Sequence, residues 1–179
     1  MPTSKKAAAK APKKSTSAPS KSASAALEGK KAPAFELFDA DGKSVALKDL
    51  VGANNLVLYF YPKDMTPGCT IEACSFRDNI APLKKLGAKV VGISADSTDS
   101  HGKFIAKHDL NFPLLADPGN KVCKLYGVYK MKSLYGREFM GIERTTFIID
   151  KAGVVRRVFP KVKVNGHTEE VLEALKQIA

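Results

Sequence analysis

The stretch Pro62-Lys63-Asp64-Met65-Thr66-Pro67-Gly68-Cys69-Thr70-Ile71-Glu72-Ala73-Cys74 decides how this chain is read. It follows Leu56-Val57-Leu58-Tyr59-Phe60-Tyr61, an apolar run of strand length bounded by turn residues. Two prolines and a glycine then forbid continuation of that strand. Beyond Cys69 the apolar positions take on helical spacing, at Ile71, Cys74, Ile80, Leu83 and Leu86, with Arg77, Lys84 and Lys85 between them. Cys69 therefore falls where a loop becomes the first turn of a helix expected over 69–86. The unpaired N–H groups of a first turn carry partial positive charge, which stabilises a thiolate.

The pattern Pro-x-x-x-Thr-x-x-Cys, formed by Pro62, Thr66 and Cys69, resembles the peroxiredoxin active-site loop. Cys74, five residues on, is similar to the arrangement in the peroxiredoxin Q or bacterioferritin comigratory protein subfamily. The resemblance runs from about Glu28 to Ala179 and omits the N-terminal stretch. It implies a thiol-dependent peroxidase that reduces hydrogen peroxide and organic hydroperoxides in antioxidant defence and redox homeostasis. Cys69 would be the peroxidatic thiol and Cys74 the resolving one. Electrons would come from thioredoxin or a glutaredoxin-like reductant. No metal, haem, flavin or nucleotide is needed, and a monomer is expected.

Peroxide reduction is an in-line attack of a thiolate sulfur on one oxygen of an O–O bond, so the site needs donors aimed at both oxygens and shielding from water. The Thr66 hydroxyl can accept and donate at once, and it can equally serve as a helix N-cap or turn residue. Pro62 offers a rigid apolar wall. Arg144, just before the apolar run 145–150, resembles the family's active-site arginine, and its planar fork suits sulfur and oxygen together. Arg137, Arg156 and Arg157 read as solvated. Glu72 either orients Arg144 or is simply a carboxylate favoured at a helix N-terminus. Cys123, between Val122 and Leu125, reads as a buried residue before an alternative resolving thiol. His101, His108 and His167 belong to no nucleophile motif and read as surface residues.

The other elements follow from periodicity. Residues 34–38 and 43–47 form a hairpin about Asp39-Ala40-Asp41-Gly42, followed by a short helical turn. Strands are expected at 56–61, 89–94, 112–116, 145–150 and 154–159, and helices at 98–109, 121–126 and 168–178. Pro82 should kink or split helix 69–86, and 129–143 reads as a basic, aromatic loop. Alternating strands and helices argue for a mixed α/β sheet with helices on both faces. This order is similar to a thioredoxin-like fold with an added N-terminal hairpin.

Hydrophobic content of 44% is ordinary for a globular protein. No apolar run approaches the roughly 18 residues of a membrane span, and the N-terminus lacks the apolar segment of a secretory signal. Three cysteines with no Cys-x-x-Cys suit a reducing compartment, so a cytoplasmic protein is expected, with a nuclear or nucleoid-associated location as the alternative. Of the net charge of +11, residues 1–26 hold six lysines and no acid. This Ala-, Lys-, Ser- and Pro-rich stretch lacks aromatic residues and reads as a disordered tail ahead of a domain spanning 27–179. It is a solubilising extension, a targeting sequence or a nonspecific nucleic-acid contact. If it is the last, deleting the tail weakens DNA binding and flattens its salt dependence, because up to six phosphate contacts disappear. Anisotropy titrations of a labelled duplex at two salt concentrations check this.

Overall fold

Every residue of the strand Asn55–Phe60 is buried, because both its faces are covered. The computed structural model describes residues 22–178. Its elements in chain order are β1 (Glu36–Asp39), β2 (Ser44–Ala46), α1 (Leu47–Leu50), β3 (Asn55–Phe60), α2 (Pro67–Asp78), α3 (Ile80–Lys85), β4 (Ala88–Ser94), α4 (Thr98–His108), β5 (Leu114–Ala116), α5 (Lys121–Leu125), β6 (Tyr129–Leu134), β7 (Arg137–Ile142), β8 (Thr145–Ile149), β9 (Val155–Phe159) and α6 (His167–Ile178). Seven strands form one mixed sheet in the order β2-β1-β5-β4-β3-β8-β9. β4 runs parallel to β3 and β5, and β8 runs antiparallel to β3.

The two-residue period of a strand divides the core into two. Leu56, Leu58 and Phe60 face one cluster with Phe147, Tyr126 and Cys123, covered by α1 and α5. Val57, Tyr59 and Tyr61 face the other with Cys69, Phe76, Leu83, Phe104, Val171 and Leu175, covered by α2, α3, α4 and α6. This is the expected mixed sheet with helices on both faces and an N-terminal hairpin. No helix among the described residues is long and apolar enough to cross a membrane.

The expected helix 69–86 differs in two ways. It starts at Pro67, with Thr66 as N-cap, and it breaks at Asn79 rather than at Pro82. Pro82 is the third residue of α3, where its missing N–H would have no helical acceptor in any case. Ser97 Oγ accepts from Ser100 N at 3.1 Å and caps the start of α4. The expected loop 129–143 is instead the hairpin β6–β7, paired Tyr129↔Ile142 through Leu134↔Arg137. Its turn is Tyr135-Gly136, with φ of 51° and 76°. Tight hairpins want positive φ at both turn residues, and a tyrosine there hides the signal that Asn-Gly would give.

Residues 1–21 of the expected tail lie outside the described residues. Residues 22–26 are folded, which moves the domain boundary back. Ala26 N donates to Ser22 O at 3.0 Å, and Leu27 N to Ser24 O at 3.1 Å. Ser24 is fully buried. The contact depends on Gly127, where φ is +69° and a Cβ would lie 2.8 Å from the backbone of Ala23 and Ser24. Gly127→Ala is therefore expected to cost about 1–3 kcal/mol. In a chain lacking residues 1–24 the steric share disappears and only the backbone share remains, which urea denaturation of the two pairs of proteins measures.

Candidate active site

The positions of Cys69 and Arg144 follow from one register. Phe60, the last residue of β3, pairs with Thr145, the first of β8. The loop leaving β3 and the residue entering β8 therefore lie side by side at the same end of the sheet. Cys69 is the third residue of α2, inside the first turn whose N–H groups have no helical acceptor. It is 1% exposed, packed among Tyr59, Tyr61, Ala73 and Phe76. All three cysteines are free thiols.

Arg144 spans the gap between sulfur and carboxylate. Its Nη2 donates to Cys69 Sγ at 3.2 Å and its Nη1 to Glu72 Oε1 at 2.9 Å. Its backbone carbonyl accepts from Val162 N at 2.9 Å, which fixes where the side chain begins. A Cβ on Gly68 would stand 3.1 Å from Nη2, so the glycine leaves room for the guanidinium. Glu72 is buried, and its second oxygen, Oε2, has no hydrogen-bond partner. Burial pushes the Glu72 carboxyl up to about 7, against the downward pull of Arg144. On Arg144 burial acts to lower the pKa, but the negative charges of Glu72 and Cys69 prevail and raise it.

The other expected residues lie on the loop before α2, on α2 itself and on α5. The Thr66 hydroxyl donates to Lys63 O at 2.9 Å, which leaves its oxygen lone pairs to accept. It makes no side-chain cap to the helix. Pro62 is half-buried at the start of the loop. Cys74 is half-buried on the same helix as Cys69. Cys123 belongs to the cluster on the opposite face of the sheet, fully buried. Its thiol is pushed well up by burial and then by Asp117, whose Oδ2 accepts from Cys123 N at 2.9 Å. Cys123 thus lies on the far side of the sheet from Cys69.

Two histidines expected at the surface are buried. His167 takes its Nε2 to within 2.8 Å of Thr146 Oγ1, and His101 lies against Asp64. His101 stands three residues before the buried Phe104, a spacing that puts both on the inward face of α4 and was the available signal. Lys132 was also missed, because its strand was read as a loop. Burial lowers its pKa first and Arg144 second, while Cys69 and Glu143 oppose them, so this cation lies within electrostatic reach of the sulfur. Tyr59 contributes a buried hydroxyl without a partner, its pKa raised by burial and then by Glu72 and Cys69.

The chain matches the AhpC/TSA family over residues 28–158. It is 49% identical over 151 residues to peroxiredoxin Bcp of Bacillus subtilis, covering 84% of this chain and 96% of that one. Peroxiredoxin Bcp of Escherichia coli is 46% identical over the same shares. Among solved structures, the bacterioferritin comigratory protein of Xanthomonas campestris, described by its alkyl peroxide reduction activity, superposes with a TM-score of 0.76. It is 42% identical, over 80% of this chain and 91% of that one. Peroxidoxin BcpB of Mycobacterium tuberculosis is 36% identical with a TM-score of 0.77, over 85% and 97%.

Burial brings the Glu72 carboxyl up to about 7, so its grip on Arg144 is expected to change near neutral pH. Above about 7 the carboxylate holds the guanidinium, and below it the neutral acid attracts it less. The oxidation rate of Cys69 by peroxide should fall as pH drops through this value, on top of its dependence on thiolate. Glu72→Gln keeps an acceptor for Nη1 but cannot ionise. Its stopped-flow pH profile should lack that step, and its rate at pH 8 should fall by about three- to tenfold.

Proposed function

The chain belongs to the AhpC/TSA family and is a thiol peroxidase, and from that premise we propose that Cys69 is the thiol that attacks peroxide and Cys74 the thiol that resolves the product. The observation that carries this reading is the Arg144 fork, with one nitrogen 3.2 Å from Cys69 Sγ and the other 2.9 Å from Glu72. A fixed cation at a helix N-terminus favours the anion that reacts, and the buried setting excludes water.

The Cys69 thiolate attacks one peroxide oxygen along the O–O axis. The S–O bond forms as O–O breaks, and the other oxygen leaves as hydroxide or alkoxide and takes a proton. Arg144 donates to the peroxide oxygens, of which the leaving one gains negative charge in the transition state. The Thr66 oxygen accepts from the peroxide O–H, using the lone pairs that its bond to Lys63 leaves free. Pro62 walls the pocket. Cys69 is left as a sulfenic acid, which the Cys74 thiolate attacks, forming S–S as the S–O bond breaks and releasing hydroxide, which takes a proton to become water. A dithiol of the thioredoxin or glutaredoxin-like kind then reduces the disulfide. Hydrogen peroxide and alkyl hydroperoxides are the substrates, the latter by likeness to the Xanthomonas campestris protein.

Cys123 takes no part in this scheme. Its fully buried, protonated thiol packs with Val122 and Tyr126 on the other sheet face. Cys69→Ser should abolish peroxide reduction, because a hydroxyl stays un-ionised and is the poorer nucleophile. Cys74→Ser should keep the first oxidation, stall turnover with thioredoxin and leave Cys69 open to sulfinic acid. Single-turnover stopped-flow and mass spectrometry read both. Equal loss of the first oxidation in the two variants, or a Cys69–Cys123 bond in the oxidised wild type, refutes the assignment.

A further inference from the structure

Met65, in the middle of the loop between β3 and α2, has φ of +66°. A residue with a side chain adopts that conformation at a cost and holds it only where its surroundings over-determine it. The neighbour that does so is Asp64, 4% exposed. Its Oδ1 accepts from the Tyr61 hydroxyl at 2.6 Å. Its Oδ2 accepts from the Ser100 hydroxyl at 2.8 Å and lies 2.7 Å from His101 Nδ1. Its backbone N–H donates to Asp96 Oδ2 at 2.8 Å, and Asp96 accepts from the Ser94 hydroxyl at 2.6 Å. One loop residue is thereby tied to the end of β3, to the segment after β4 and to α4.

The far side of His101 fixes the proton count. Its Nε2 lies 3.0 Å from Leu115 O, and a carbonyl only accepts, so Nε2 carries hydrogen. The 2.7 Å approach of Nδ1 to the Asp64 carboxylate then requires a second proton between them. The unit is an imidazolium–carboxylate pair, or its tautomer with neutral partners, inside a wall that excludes solvent. Both side chains are essentially unexposed. Removing one partner of such a pair leaves the other buried and uncompensated. Nothing in the peroxide chemistry uses this pair directly, and it does not contact Cys69.

We propose that Asp64 and His101 are positioning residues of the peroxidase reaction: a buried pair that pins the loop Pro62–Thr66 to α4 and so holds Thr66 and the start of α2 in the geometry from which Cys69 attacks. This rests on Cys69 being the attacking thiol. The loop hangs from β3 at one end and from the first turn of α2 at the other, and that first turn must move for a disulfide with Cys74 to form. The pin lets the turn move while the loop before it stays in place and returns the sulfur to the same position in each cycle.

The test uses the full chain, hydrogen peroxide and stopped-flow measurement of the first oxidation of Cys69. Asp64→Ala and His101→Ala should each slow it about tenfold or more, because small displacements of reacting groups are costly. Asp64→Asn can accept from Tyr61 while donating to a neutral His101, so it should stay within about threefold of wild type. Val158→Ala, a core deletion on β9, should lose stability without slowing the oxidation. Amide exchange should rise at residues 63–65 in Asp64→Ala and His101→Ala and not in Val158→Ala. Should Asp64→Ala fail to fold, Ser100→Ala, which removes a single bond to Asp64, replaces it. Faster exchange at 63–65 with slower oxidation then supports the pin, and an unchanged rate overturns it. Wild-type rates in Asp64→Ala, equal losses in Asp64→Asn and Asp64→Ala, or an equal loss in Val158→Ala also overturn it. A wild-type Cys69 that peroxide leaves unoxidised would instead sink the proposed function, so the two failures are distinct.

Discussion

The Arg144 guanidinium between Cys69 and Glu72 is the interaction on which the rest of the site depends. In water an ion pair of this kind contributes little. Here the Arg144 side chain is 15% exposed and that of Glu72 is 1% exposed, so removing either partner leaves a charge with poor solvation. The guanidinium faces two potential anions at once. The carboxyl, pushed up to about 7 by burial, holds it firmly only when ionised. That grip on Nη1 is what aims Nη2 at the sulfur. Glu72 Oε2 and the Tyr59 hydroxyl are both buried beside this group without a protein partner.

The sheet supplies the alignment. Because β8 runs antiparallel to β3, the chain enters β8 at the end where it leaves β3, and Arg144 arrives beside the loop without any long excursion. The same alternation that puts Val57, Tyr59 and Tyr61 on the Cys69 side puts Leu56, Leu58 and Phe60 on the side of Cys123. Two cysteines with similar burial thus meet opposite environments. Cys69 has a guanidinium and a helix N-terminus, whereas Cys123 has apolar neighbours and the Asp117 carboxylate, which disfavour its thiolate. Burial alone does not make a thiol inert; the charges buried with it decide.

Much of this was legible in the residues. The strand, the breakers Pro62, Pro67 and Gly68, and the helical spacing after Cys69 placed the sulfur at a helix start, and local chemistry suffices for that. Arg144 was found through the loop's likeness to a family, since no local rule says that residue 144 touches residue 69. What escaped reading had non-local causes. The strands β6 and β7 bury little, so they show no clean alternation, and Tyr135 occupies a turn position where Asn or Gly would have announced a hairpin. His101 is polar in type but sits on an inward helix face, and its distant partners Asp64, 37 residues away, and Leu115 O make that burial tolerable. Residues 22–26, all Ser or Ala, share those residue types with the lysine-rich stretch before them, yet they fold against Gly127, which leaves space for them.

The intact helix sets the last constraint. Cα atoms five residues apart on a regular helix are separated by roughly 8.5 Å, and a disulfide wants about 4.4–6.8 Å. Cys69 and Cys74 both lie within α2, so one of them must leave helical geometry before they can bond. Cys74 lies between Ala73 and, two residues on, Phe76, both fully buried, and moving it would open the core. Cys69 belongs to the first turn, where the backbone bond from Thr70 N to Thr66 O is one of few to break. Exposed Ile71 and half-buried Thr70 lose little by following it. Unwinding confined to residues 67–71 would leave Glu72 helical and still paired with Arg144. The cation would then keep its place while the sulfur is away, and the reduced turn could refold onto a site already assembled.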